Sequence, residues 1–200
     1  MRTGRPRSFD RDEALEGAIA VFWEHGYDTT SIALLTKALG IGAPSLYAAF
    51  GDKRTLFMEA LDRYLRTYAA FTVRALAEEP NARDAVERLL REAATAYTGA
   101  GHPPGCLLIT AATNCSPQSA DIAAHLRGIR AAGLRALEDK IAAAARTGEL
   151  PARTDAHALA TFYAAVLLGM SGQARDGGTR TDLEQIAASA LLAWPAARRR

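Results

Sequence analysis

Apolar positions recur at helical spacing along most of the chain. Leu15, Ala18, Ile19 and Phe22 form one stripe, and Ile32, Leu35 and Leu39 a second. Leu46 and Phe50, four residues apart, mark a third and very short one. A longer stripe follows through Leu56, Phe57, Ala60, Leu61, Tyr64, Leu65, Tyr68 and Phe71, and continues to about Glu79, where Pro80 interrupts it. Ala85, Val86, Leu89, Leu90, Ala93, Ala94 and Tyr97 give the next. Cys106 to Thr113 is an apolar run, readable as a buried helix or as a strand. Ser116-Pro117 then opens a long helix to about Arg146. Two strongly apolar helices close the chain, about His157 to Ala174 and Asp182 to Trp194. No segment alternates with period two and no Asn-Gly hairpin occurs, so the pattern predicts an all-α fold of about nine helices.

Local signals divide these stripes. Asp10 and Glu13 have capping-box spacing, with Asp in place of Ser or Thr. Gly26 is a stop, and Thr29, Thr30 and Ser31 supply caps for the second helix. Gly40 and Gly42 bracket a tight turn. Pro44 suits the first turn of the third helix, where a missing N–H costs nothing. Gly51-Asp52 caps the fourth, Asn81 opens the fifth, and "TGAGHPPGC" is a loop. A continuous fourth helix from 53 to 79 would span about 40 Å. That is too long for a three-helix module alone, so it predicts a bridge between two domains, 1–52 and 53–200.

The second and third helices, joined by Gly40-Ile41-Gly42, have the form of a helix-turn-helix, in which the second member enters the major groove. A groove-reading helix needs a small outer face. Ala43, Ser45, Ala48 and Ala49 provide one, with Leu46 and Phe50 turned inward and the Tyr47 hydroxyl suited to a phosphate oxygen. Lys53 and Ser31 with Thr30 sit at helix starts, where free N–H groups attract anions. A solvated helical hairpin would have the same spacing.

The stretch "TTSIALLTKALGIGAPSLYAAFGDKRTLF" resembles the TetR family of transcriptional regulators. The matching features are Thr30, the Gly40-Ile41-Gly42 turn, Leu46-Tyr47-Ala48-Ala49-Phe50, and Lys53 with Leu56. The upstream "ALEGAIAVFWEHGYDTTSI" is similar to that family's first helix and its exit, so the specific match covers about residues 8–60. The resemblance implies a homodimeric repressor on a palindromic operator of double-stranded DNA, released when a small-molecule effector enters the C-terminal ligand-binding and dimerisation domain. It implies phosphate contacts from Thr30, Ser31, Tyr47 and Lys53, with Gly42, Ala43 and Ser45 near base edges. The third helix lacks Arg, Lys, Asn and Gln, the usual bidentate readers. Readout is then left to Ser45, to methyl contacts from Ala43 or Pro44, and to backbone groups. Arg2, Arg5 and Arg7 form a basic arm that can add minor-groove contacts.

Overall charge changes little, at +2. Two cysteines, Cys106 and Cys115, are too few for a disulfide framework and fit a reducing cytosol. The start has charge without an apolar run behind it, so no signal peptide is expected, and no run of about 18 apolar residues predicts a membrane span. A cytoplasmic protein follows. No nucleophile–base pair, phosphate loop or metal-ligand cluster stands out, so neither an enzyme nor a cofactor is expected. A helical enzyme or protein-interaction module remains the distant alternative.

In the second domain, Leu167, Met170, Ile186 and Leu191 are candidate dimer contacts, on helices too apolar for one small domain to cover. Tyr64, Tyr68, Phe71, Tyr97, Cys106, Ile109, Phe162 and Tyr163 are candidates to line an effector pocket, or else plain core. Cys106, near a helix start, raises a second possibility, a sensor of electrophiles or oxidants, against the alternative of a small buried hydrophobe. If 106–115 is one helix, its two cysteines lie roughly half a turn out of phase and over about 10 Å apart, too far to pair within a subunit.

Overall fold

The computed structural model describes residues 9–113 and 115–196. Ten α-helices make up the described residues, with no strand: α1 Arg11–His25, α2 Ile32–Leu39, α3 Ala43–Phe50, α4 Lys53–Arg66, α5 Ala70–Glu78, α6 Ala82–Tyr97, α7 Leu107–Thr113, α8 Ala120–Thr147, α9 Ala156–Arg175 and α10 Arg180–Leu191. The basic arm with Arg2, Arg5 and Arg7 lies outside them.

Helix ends follow the local chemistry. Asp10 accepts from the amides of Asp12 and Glu13, which gives half of the expected capping box. Ser31, Asp52 and Asn81 cap α2, α4 and α6 in the same way. At Gly40 the chain turns through φ 64°, ψ 24°, a left-handed bend that a side chain would strain, and this sets α3 across α2. Pro44 falls in the first turn of α3.

The long fourth helix is not continuous. It ends at Arg66, and a new helix starts at Ala70. Thr67 leaves helical geometry (φ −112°, ψ −81°), its hydroxyl donating to the Arg63 carbonyl at 2.8 Å. The Ala69 amide reaches back to Tyr64. Side-chain bonding to a carbonyl four residues back bends helices, and periodicity alone carries no sign of it. Smaller differences lie elsewhere. A 3-10 turn at Pro117–Ser119 precedes α8, and the last helix stops at Leu191 rather than Trp194.

The core runs through both halves without a gap. Ile19, Phe22, Leu35, Leu46, Phe50, Leu56 and Phe57 are buried between α1 and α4. Phe22 meets Phe57 edge-on at 5.0 Å, and Tyr27 meets Phe57 at 4.9 Å. Further on, α6 is surrounded by α5, α9 and α10, burying Val86, Leu90 and Ala93. No single helix among the described residues is long and apolar enough to cross a membrane.

Candidate nucleic-acid interface

The sequence that makes α3 short also makes it available. Leu46 and Phe50 point into the core and anchor the helix. Its opposite row exposes Pro44, Tyr47 and Ala48, with Gly42 exposed at the N-cap and Ala43 and Ser45 half-buried beside it. Tyr47 is 47% exposed, and its hydroxyl makes no hydrogen bond within the described residues. Ser31 is exposed, its hydroxyl oxygen accepting from the Leu34 amide at 3.1 Å, so its own O–H can still be donated.

Two of the phosphate contacts expected from the sequence are placed differently. Thr30 is fully buried, and its hydroxyl donates to the Gly26 carbonyl at 2.6 Å. It closes the α1–α2 turn, and Ser31 caps α2 instead. Lys53 folds inward over the Tyr27 ring, 4.3 Å from its centre, and donates to the carbonyls of Tyr27 and Thr30 at 2.9 Å each. Burial lowers the Lys53 pKa, and the nearby Asp28 charge acts against that. An ammonium has three protons. Two of them hold this turn together, and one remains for an outside acceptor.

The same turn is tied to the second domain. Asp28 accepts from the Ser116 amide and the Ser119 hydroxyl, at the corner between α7 and α8. Burial would raise its pKa, but the Ser116 and Ser119 hydrogen bonds and the Lys53 charge more than offset this, leaving it below the usual carboxylate value. Arg54 pairs with Asp121 at 2.7 Å across the same corner. At the end of α9, Arg175 donates to the carbonyls of Trp23 and Glu24 and to Thr110, at 3.3–3.4 Å. None of these residues was a candidate from the sequence. Their partners lie 65 to 152 positions away, and no local pattern marks them.

Five of the proposed pocket residues do converge. Tyr64 stacks on Tyr68 at 5.9 Å, and Phe71 meets Tyr97 at 6.4 Å. Tyr64 donates to the Cys106 sulfur at 3.4 Å and accepts from the Leu107 amide at 3.3 Å. Ser171, buried on α9, accepts from the Cys106 amide at 2.9 Å. His102 stacks on Trp23 at 4.6 Å. Ile109 is half-buried on α7, the helix that Cys106 leads into. Phe162 and Tyr163 belong elsewhere. Tyr163 bonds the Ala190 carbonyl and packs near Trp194, while Phe162 is 41% exposed on α9.

Cys106 is buried, and burial raises its pKa more than the Tyr64 hydrogen bond lowers it. Burial thus favours its thiol form over the thiolate in this core. Met170, proposed as a dimer contact, is fully buried inside the chain and is core. Leu167, Ile186 and Leu191 are half-buried against that core. Beside them a shallow groove between α9 and α10 is lined by Phe162, Val166, Gln185 and Ile186. No group of three or more His, Cys, Asp or Glu among the described residues is placed to hold a metal ion.

A small-faced third helix, set by a glycine turn on a three-helix head and tied to an all-helical second domain, defines a helix-turn-helix regulator. Residues 14–60 match the family model of bacterial regulatory proteins, tetR family, and residues 82–190 that of the tetracyclin repressor-like C-terminal domain. The HTH-type transcriptional repressor ComR of Escherichia coli K12 is 39% identical over 193 residues, covering 96% of this chain and 92% of ComR. BdcR, a repressor of the same strain, is 34% identical, covering 96% and 91%. A cysteine-substituted variant of the TetR-family regulator CifR, solved with a 26-base-pair operator, superposes with a TM-score of 0.90 at 43% identity, covering 96% of this chain and all of that one. The chain belongs to the TetR family of bacterial transcriptional regulators.

Proposed function

We propose that the protein is a cytoplasmic repressor that binds a palindromic operator as a homodimer and lets go when a small molecule enters its C-terminal domain. The observation that carries this reading is the α3 face. Gly42, Ala43, Pro44, Ser45 and Tyr47 form its small outward side, on a helix held from behind by Leu46 and Phe50. Residues 1–52 read DNA, with Arg2, Arg5 and Arg7 reaching the minor groove. Ser31, Tyr47 and the remaining proton of Lys53 meet phosphates. Residues 53–200 bind the effector and the second subunit.

Dimerisation uses the outer side of α9 and α10, where Phe162, Leu168 and Leu192 are exposed. The effector displaces the aromatic cluster of Tyr64, Tyr68, Phe71 and Tyr97 around Cys106. That movement passes through α7 and its corner at Ser116 and Ser119 to Asp28, and so to the reading head. A Cys106 sensor finds no support in a buried thiol of raised pKa.

The test is binding of the purified protein to genomic fragments with excess competitor DNA. Enrichment of one inverted repeat, lost in Tyr47→Phe with Ser45→Ala, is expected. Enrichment unchanged in that double variant overturns the assignment of α3.

A further inference from the structure

The described part of the reading head is poor in positive charge. Residues 9–54 hold four basic side chains, Arg11, Lys37, Lys53 and Arg54, against seven acidic ones, Asp10, Asp12, Glu13, Glu16, Glu24, Asp28 and Asp52. Duplex DNA is held mainly by neutralised phosphates, so the positions of these few cations decide a great deal.

Three of the four are already engaged inside the chain. Arg11 forms a two-pronged pair with Glu59, 2.7 Å on each prong, and lies over the Phe50 ring. Lys53 spends two protons on the Tyr27 and Thr30 carbonyls. Arg54 is paired with Asp121. Lys37 differs from all three. It is exposed, and its ammonium has no hydrogen bond or ion pair with any described residue.

Its place on the fold is also favourable. Lys37 sits in the last turn of α2, three residues before Gly40, whose bend leads into α3. Ala33, one turn earlier on the same face, and Ala38 beside it are both exposed. A recognition helix enters the groove by its N-terminal end while the preceding helix crosses the backbone. That docking brings the end of α2 against the strand bordering the groove. The two alanines offer the ammonium no competing partner and leave room for the strand to approach.

We infer that Lys37 is a phosphate contact, and the principal source of net attraction between the described part of the head and the duplex. The inference rests on the reading of the chain as an operator-binding dimer. The plain alternative is a cation at a helix C-terminus that only steadies α2 through its dipole. Salt separates the two. One phosphate neutralised per subunit contributes about 1.8 to the slope of log affinity against log salt for a dimer.

The experiment titrates wild type, Lys37→Gln and Lys37→Arg by fluorescence anisotropy onto a duplex carrying the inverted repeat that wild type enriches. Salt is varied from about 50 to 200 mM, the range over which phosphate contacts are most visible. Lys37→Gln should show a slope shallower by about 1.8, so that the wild-type advantage shrinks about tenfold across that range. Lys37→Arg should restore the slope, and both variants should melt with wild type. A wild-type slope in Lys37→Gln, or an affinity loss equal at every salt and matched by a lower melting temperature, overturns the inference and leaves operator binding intact. Absence of any enriched site with wild type is a different failure. It removes the operator reading, and this contact with it.

Discussion

The outward rows of α3 and α9 are both nearly free of charge, yet they expose different things. On α3 the row is Pro44, Tyr47 and Ala48, small apart from one phenol. On α9 it is Phe162, Ala165, Leu168 and Gly169, with Leu192 beyond the end of α10 87% exposed. A groove lined with base edges and phosphates accepts the first, because nothing long stands between backbone and DNA. The second would waste apolar area in water and suits a dry contact with its own copy. On the proposed reading, charge scarcity has two meanings in one chain, and the size of the exposed side chains tells them apart.

The comparison breaks most visibly at Leu168. Leu168→Glu places an unpaired charge in the proposed dimer contact, and such burial is strongly destabilising. Dimer affinity should fall at least about 100-fold, with operator binding lost and helical content kept. Sedimentation with circular dichroism checks both. A dimer of normal strength would mean that α9 faces solvent.

Tyr47→Phe comes next. A hydrogen bond to a charged oxygen is worth about 1.5–3 kcal/mol, so with one such contact in each subunit operator affinity should drop at least about 100-fold with no change in melting temperature. An equal loss of fold stability would make Tyr47 structural.

Removing the Asp28 carboxylate sharpens the connection between the two surfaces. Asp28→Ala leaves the Ser116 amide and the Ser119 hydroxyl without their acceptor and should cost about 1–3 kcal/mol. The sign of its pH dependence follows from the depressed pKa. The contribution is present above the unfolded value of about 3.9 and is lost as pH falls through the lower folded value. Wild type should thus lose more stability than Asp28→Asn on acidification below about pH 4, measured by denaturant titration at each pH. Parallel curves would argue that the carboxylate charge does not hold this corner.

The smallest effect concerns the thiols. Both cysteines have raised pKa values, but Cys115 is half-exposed and Cys106 is buried. Alkylation of the native protein at neutral pH, read by mass spectrometry, should mark Cys115 first. Faster labelling of Cys106 would reopen the sensor reading.

The reading head was legible because its signals are local. The Gly40 bend, the Leu46–Phe50 pair and the Asp52 cap each act within a few residues, and each is where its spacing puts it. Even there, Thr30 and Ser31 look equivalent in the sequence, and only the folded α1–α2 turn shows that Thr30 is consumed by Gly26. The second domain is harder to read. In α9, apolar residues occupy nearly every face, so periodicity cannot say that Met170 turns inward while Leu168 turns out. The break at Thr67, where a hydroxyl turns back to the Arg63 carbonyl, leaves the apolar pattern unmarked. Asp28 and Arg175, which join the two halves, act across 88 to 152 positions of chain, beyond the reach of any local rule.

The most direct test is selection of genomic fragments by wild type, Leu168→Glu and the Ser45→Ala/Tyr47→Phe double variant in parallel. Wild type is expected to enrich a single inverted repeat and neither variant to do so, the first because it cannot pair and the second because it cannot read. Enrichment of the same repeat by either variant, or of fragments with no shared site by wild type, would contradict that expectation.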